Sequence, residues 1–396
     1  MARFTLIFLT LFALGSSAFA GDKTITIKVS SDSPTTEAPF KGKRPSVDVA
    51  ILLDTSNSMD GLIKQAKTQL WTIVQQFAEA EKNGQTPSLR VALFEYGNTR
   101  LPASEGYIRQ VVQLTDDLDA LSEALFSLKT NGGDEYCGQV IKEAVKRLDW
   151  SSEPNSYKAI FIAGNEPFTQ GSVDYRKACK KAIGRGIIVN TIHCGSYSQG
   201  VSGKWEAGAK LAEGKYLNID QDEKVIHIDC PQDKVIIQLN AELNKTYLWY
   251  GTASAREQYR SNQVAQDQNA AGLSSGALLK RVVVKGGRAY NNARRDLVDA
   301  LAENDDAFGE IAEAQLPSQL QKLSEAERVD HVKGMAAKRK ELQQQIVKLN
   351  RERLAYLAEQ KKLAAKNAPA AAATLGDAVL DAVQTQLKAL GFEVGK

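Results

Sequence analysis

Histidine and cysteine are scarce, with three and four residues respectively in a chain of 396. None of His193, His227 and His331 stands in a recognisable nucleophile arrangement, and no GxxxxGK loop followed by Ser or Thr is present to cradle a nucleotide phosphate. No CxxC or HxxxH pair occurs, so a tetrahedral zinc site drawn from His193, His227 and the cysteines has no spacing to support it. Net charge is lacking as well. With 50 basic and 47 acidic residues, a formal +3 supplies no field that would draw the protein onto nucleic acid or an anionic membrane. Beyond residue 20, no apolar run reaches the roughly twenty residues that a membrane-spanning helix needs.

What remains is ordinary globular material, 43% hydrophobic and 24% charged, and long enough for two domains. Residues 1–20, MARFTLIFLTLFALGSSAFA, combine a short basic start, a brief apolar stretch and a small-x-small ending at Ala18 and Ala20. This is the form of a secretory signal cleaved after Ala20. The expectation is a bacterial protein, periplasmic or secreted, with no integral span once the signal is removed. In an oxidising compartment Cys137, Cys179, Cys194 and Cys230 are expected to form disulfides, in any of three pairings.

Residues 21–44 are a polar lead segment containing TITIKV. From 45 to 222 short apolar runs alternate with amphipathic helical patterns: VDVAILL, LRVALFEYG at 89–97, KAIFIAG at 158–164, GIIVNTIHCG at 186–195 and KYLNI at 215–219. Such runs are expected of strands covered on both faces, and the alternation predicts an α/β fold with a doubly wound, mostly parallel sheet. Its functional edge is the carboxyl end of the strands. After that the chain becomes rich in helix formers: a mixed, mainly helical region at 223–316, a long helix with weak heptads at 317–366, then an Ala-rich linker and a C-terminal helix at 367–396. VVVKGGRAYNN at 282–292 reads as a turn after a strand. In the long helix Met335, Leu342, Leu349, Tyr356 and Leu363 recur every seven residues, but Arg339, Arg353 and Gln360 spoil the coiled-coil seam. Packing within the chain is favoured over self-association, which stays open.

The first strand ends in DTSNSM, where Asp54, Ser56 and Ser58 place one carboxylate and two hydroxyls at alternating positions. Oxygen ligands of this kind suit a hard divalent cation, magnesium foremost and calcium or manganese next. An apolar strand followed by Asp-x-Ser-x-Ser, within alternating strands and helices, resembles the von Willebrand factor type A domain and its metal-ion-dependent adhesion site. The resemblance covers residues 45–220 and implies a non-enzymatic domain whose ion bridges to an acidic group on a partner, here a protein or a cell-envelope component. Asp54, Ser56 and Ser58 match the family's first metal loop. Its second loop usually carries Gly-Gly-Thr; this chain has TNGGDEYCG, with Asp134 at the threonine position and Thr130 and Glu135 nearby. Its third loop usually carries Thr-Asp-Gly; this chain has FIAGNEPF, with Gly164 in place of the aspartate and Asn165 or Glu166 offering an oxygen. The expected metal set is therefore Asp54, Ser56, Ser58, Asp134 and Asn165, in a partly degenerate site.

Two other readings stay in view. With Gly164 lacking the acid, the site is a decayed one and the protein a metal-independent structural or assembly component, its serines serving as helix caps. Alternatively, ILLDTSN resembles the loop of aspartic-type hydrolases, although the second copy that such an enzyme needs is absent and a helix pattern follows the motif.

Overall fold

A strand covered on both faces reads as a nearly continuous apolar run, and the runs at 47–53, 89–97, 158–164, 186–195 and 215–219 each contain a strand. The computed structural model describes residues 44–394 apart from 79, 154, 221, 223–226, 305 and 365–374. The secretory signal, the lead segment up to residue 43 and most of the Ala-rich linker lie outside the described residues. In chain order the elements are β1 (Ser46–Asp54), α1 (Asp60–Ala78), β2 (Ala80–Glu81), β3 (Ser88–Tyr96), β4 (Ile108–Thr115), α2 (Leu118–Ser127) and α3 (Cys137–Arg147). There follow β5 (Tyr157–Gly164), α4 (Tyr175–Ile183), β6 (Ile188–Cys194), α5 (Tyr197–Ser202), α6 (Trp205–Leu211) and β7 (Tyr216–Ile219).

The six-stranded sheet runs β4-β3-β1-β5-β6-β7, antiparallel only between β3 and β4. This is the doubly wound, mostly parallel sheet expected. Val47, Val49 and Leu53 of β1 point into one core with α1 and α2, and Ala50 and Leu52 into the other with α3, α4 and α6. The strand order reverses beside β1, so its carboxyl end opens into the crevice where ligands of such sheets bind.

The rest of the chain is mainly helical: α7 (Asp233–Asn244), α8 (Ala253–Leu273), α9 (Ser275–Lys285), α10 (Leu297–Glu303), α11 (Ala307–Glu310), α12 (Ser318–Gln321), α13 (Glu325–Ala364) and α14 (Leu375–Ala389). A short β8 (Glu393–Val394) pairs antiparallel with β2. The VVVK run, expected as the end of a strand, is instead the last turn of α9, which starts at the Ser274 cap; Val282, Val283 and Val284 are all buried there. Among the described residues no helix is long and apolar enough to cross a membrane.

Along α13 the buried side is Val332, Arg339, Leu342, Ile346, Asn350 and Arg353, packed within the chain against α7, α9 and α10. Its two arginines reach carboxylates of those neighbours: Arg339 Nη1 lies 2.7 Å from Asp296 and 2.8 Å from Asp299, and Arg353 Nε 2.8 Å from Asp233. Helix α14 buries Leu375, Val379, Ala382, Val383 and Leu387 against α1 and the β6–β7 edge. There its Gln386 accepts from Tyr157 (2.8 Å) and bonds Asn190.

The cysteines do not pair as expected; all four are free and buried. Cys137 opens α3 with its sulfur turned to the Tyr96 hydroxyl, Cys179 lies in α4, Cys194 ends β6 and Cys230 precedes α7. The sheet separates the core holding Cys137 and Cys179 from the one holding Cys194. Burial pushes the Cys179 thiol up to about 12 and the other thiols upward as well, which keeps them protonated.

Candidate functional site

Asp54, the last residue of β1, is fully buried opposite Tyr96 of β3. Its Oδ1 accepts from the Ser56 backbone N–H at 2.8 Å, a local turn that curls the DTSNS loop over the strand end. Its Oδ2 is buried with no hydrogen-bond partner. A carboxylate without water or a partner is costly as an anion. Burial, followed by the charges of Glu135 and Glu166, accordingly raises the Asp54 pKa to about 8 against the lowering effect of Ser56.

The hydroxyls of Ser56 and Ser58 lie 3.1 Å apart. Ser56 occupies the N-cap position of the turn Asn57–Met59 but makes no side-chain capping bond, so its hydroxyl is not used as a cap. Asn165, just after β5, donates through Nδ2 to Ser58 Oγ at 3.2 Å, and its carbonyl lies 3.3 Å from His193 Nε2. The first and third loops therefore meet through Ser58 and Asn165.

The second loop enters differently from the expectation. Asp134 is exposed and accepts from the Tyr136 hydroxyl at 3.1 Å, whereas its neighbour Glu135 is buried, on the side where the Ser56 hydroxyl influences its carboxyl. The inward acid of this loop is thus Glu135. Gln170 receives the Glu135 N–H at 2.7 Å and so fixes which neighbour turns inward. Burial raises the Glu135 pKa to about 7, helped by Glu166 and Asp134 and opposed by Ser56. Thr130 is not part of this arrangement; its hydroxyl bonds Asp60 at the start of α1.

Two glycines make the crowding possible. Gly97 follows β3 with φ +79°, and a Cβ there would lie 2.8 Å from both Asp54 Oδ1 and Glu135 Cγ. Only a residue without a side chain lets the two acids approach. At Gly164 a Cβ would sit 2.5 Å from the Tyr96 hydroxyl and 3.0 Å from Asp54 Oδ2. Tyr96 donates to the Ala163 carbonyl at 2.9 Å, which holds its ring end in the space that a third-loop aspartate would need.

The donor set of Asp54, Ser56, Ser58 and Glu135 is all oxygen, holds an orphaned buried carboxylate atom and lacks a nearby basic group among the main influences on its acids. Such a set fits a hard divalent cation better than it fits a proton relay. Asn165 sits behind Ser58 as its support.

No curated protein sequence matches the chain. Among solved structures, the chain is similar to proximal thread matrix protein 1 from the mussel byssus (16% identity, 45% of this chain and 43% of that chain, TM-score 0.34). It is also similar to BatB from Bacteroides thetaiotaomicron (16%, 56% and 100%, TM-score 0.34) and to an aerotolerance-related membrane protein from Bacteroides fragilis (17%, 45% and 94%, TM-score 0.32). The chain thus spans less than half the length of the mussel protein. The model of the von Willebrand factor type A domain matches residues 48–206, from the start of β1 into α6, and this part of the chain is a domain of that family.

Proposed function

We propose that the protein is a non-enzymatic binding protein of the periplasm or extracellular space. It would engage an acidic group on a protein or cell-envelope partner through a divalent cation, magnesium foremost, held by Asp54, Ser56, Ser58 and Glu135. The observation that carries this reading is Asp54 Oδ2, buried without a hydrogen-bond partner in a carboxyl group that Glu135 and Ser56 both influence. When bound, the ion supplies positive charge that both satisfies these acids and attracts a further anionic ligand. To hold it, Asp54 and Glu135 would release their protons to solvent, Ser56 would offer its hydroxyl from the turn, and Asn165 would orient Ser58. Gly97 keeps the two acids close, and the Tyr96–Ala163 bond closes the far wall.

Gly164 favours a second reading, a structural or assembly protein that needs no metal. Retention of partners on the immobilised full chain, in magnesium and in chelator, separates the two. Partners that elute with chelator and are not retained by Asp54→Ala support the bridge. Retention indifferent to both changes supports the metal-independent protein. The hydrolase reading is not favoured, because the loop runs straight into α1 and the second acid comes from a different kind of loop.

A further inference from the structure

Beside the metal loops, the first turns of α1 and the chain leaving α2 enclose a groove of about 360 Å³ lined by Asp60, Ile63, Lys64, Lys67, Leu128, Lys129 and Thr130. The loop carrying Thr130 is tied to the metal loop at two points: the Asn131 N–H donates to the Thr55 carbonyl at 2.9 Å, and Thr130 bonds Asp60. Three lysines face a single carboxylate in this groove, and that carboxylate already accepts from Thr130. Lys67 is half-buried: its Nζ donates to the Leu128 carbonyl at 3.3 Å and lies 5.8 Å from the centre of the Phe126 ring. Burial lowers its pKa, as expected of an ammonium with few solvating partners. Lys64 and Lys129 are exposed. Among the described residues none of the three makes an ion pair within 4.0 Å.

We propose that this groove receives a second carboxylate of the partner whose first acid meets the cation, so that the ligand is an acidic peptide segment rather than an isolated acid. The inference rests on the cation-bridged reading and adds the partner's chemistry to it. At about 1.5 Å of rise per residue, Lys64 lies roughly 9 Å and Lys67 roughly 13 Å along the axis from Ser58. An extended peptide advances about 3.3–3.6 Å per residue, so acids spaced three or four residues apart reach both places. The long lysine stems let the charges follow modest differences in spacing.

The test is fluorescence anisotropy of rhodamine-labelled, amidated peptides with the full chain in magnesium. One peptide is Gly-Glu-Gly-Gly-Glu-Gly-Gly-Glu-Gly; the other keeps its first Glu and has Gln at the remaining two. The wild type is expected to bind the triacidic peptide about tenfold more tightly, a preference that shrinks in high salt as exposed pairs are screened. The triple variant Lys64→Gln, Lys67→Gln, Lys129→Gln is expected to lose the preference and to keep its magnesium-dependent binding of the single-Glu peptide. Circular dichroism of the variant checks that it is folded. A preference that survives in the triple variant, or no preference or no binding in the wild type, overturns the proposal. So does lysine-dependent capture of inorganic polyphosphate in place of the peptide. If the lysines set the preference but chelator and Asp54→Ala leave both peptides bound as before, the cation-bridged reading fails and the groove stands.

Discussion

At the scale of single residues, the site turns on which acids face inward. Glu135→Gln is expected to weaken magnesium binding by at least tenfold, as loss of a charged oxygen ligand should, while Asp134→Asn leaves it nearly unchanged; titration calorimetry on both variants checks this. The raised acids also give a pH signature. In the fold Asp54 keeps its proton up to about 8, whereas in the unfolded chain it ionises near its ordinary 3.8. Its contribution to stability is therefore fully present below about pH 4 and lost as pH rises through about 8. Thermal melts of chelator-stripped protein are expected to fall across that window by the equivalent of a few kcal/mol, with the slope flattened in Asp54→Asn and reversed by saturating magnesium. The sequence made Asp54, Ser56 and Ser58 legible because they follow a buried strand at fixed spacing. It could not decide between Asp134 and Glu135, since which of two neighbouring carboxylates turns inward depends on a loop torsion held by Gln170, 35 residues away.

At the scale of elements, the parallel strands were readable because burial on both faces leaves an unbroken apolar run. The edge strand β4 was not: IRQVVQLT mixes polar and apolar residues, and only Ile108 of the strand is fully buried. The end of α9 was misread for the opposite reason. Its β-branched Val282, Val283 and Val284 favour strand locally, and tertiary packing overrides that preference. The loop after β5 shows how an element can fix chemistry. With the Tyr96 hydroxyl bonded to Ala163, Gly164→Asp would force a side chain into occupied space instead of restoring a ligand. This substitution is expected to cost about 1–3 kcal/mol through overpacking, with a lowered melting temperature and no gain in magnesium affinity. A stable variant with tighter metal binding would show that the third loop is roomier than this.

At the scale of the whole molecule, the helical half is joined to the von Willebrand type A domain by buried polar contacts that sequence patterns do not reveal. From Arg44 onward the chain packs as one unit. Arg281 of α9, fully buried, lies 2.8 Å from Asp119 of α2 and also pairs with Asp267 of α8, while Tyr290 donates to Asp119 as well. Burial alone would raise the Asp267 carboxyl, but Lys285 and Arg281 pull it down to about 2. Removing one partner of such a network leaves a buried charge exposed to nothing, so Asp119→Ala is expected to destabilise the protein by about 3–5 kcal/mol in urea unfolding. Helix α14 adds an apolar joint to the polar one, placing Leu375 and Val379 beside α1 residues that follow the metal loop. The most direct test of the whole assignment is calorimetric titration of magnesium into chelator-stripped full-length protein, with Asp54→Ala alongside. Saturable binding in the wild type that disappears in the variant is the expected result. No heat and an unchanged melting temperature in the wild type, or binding that persists without Asp54, would contradict the claim that these oxygens hold an ion.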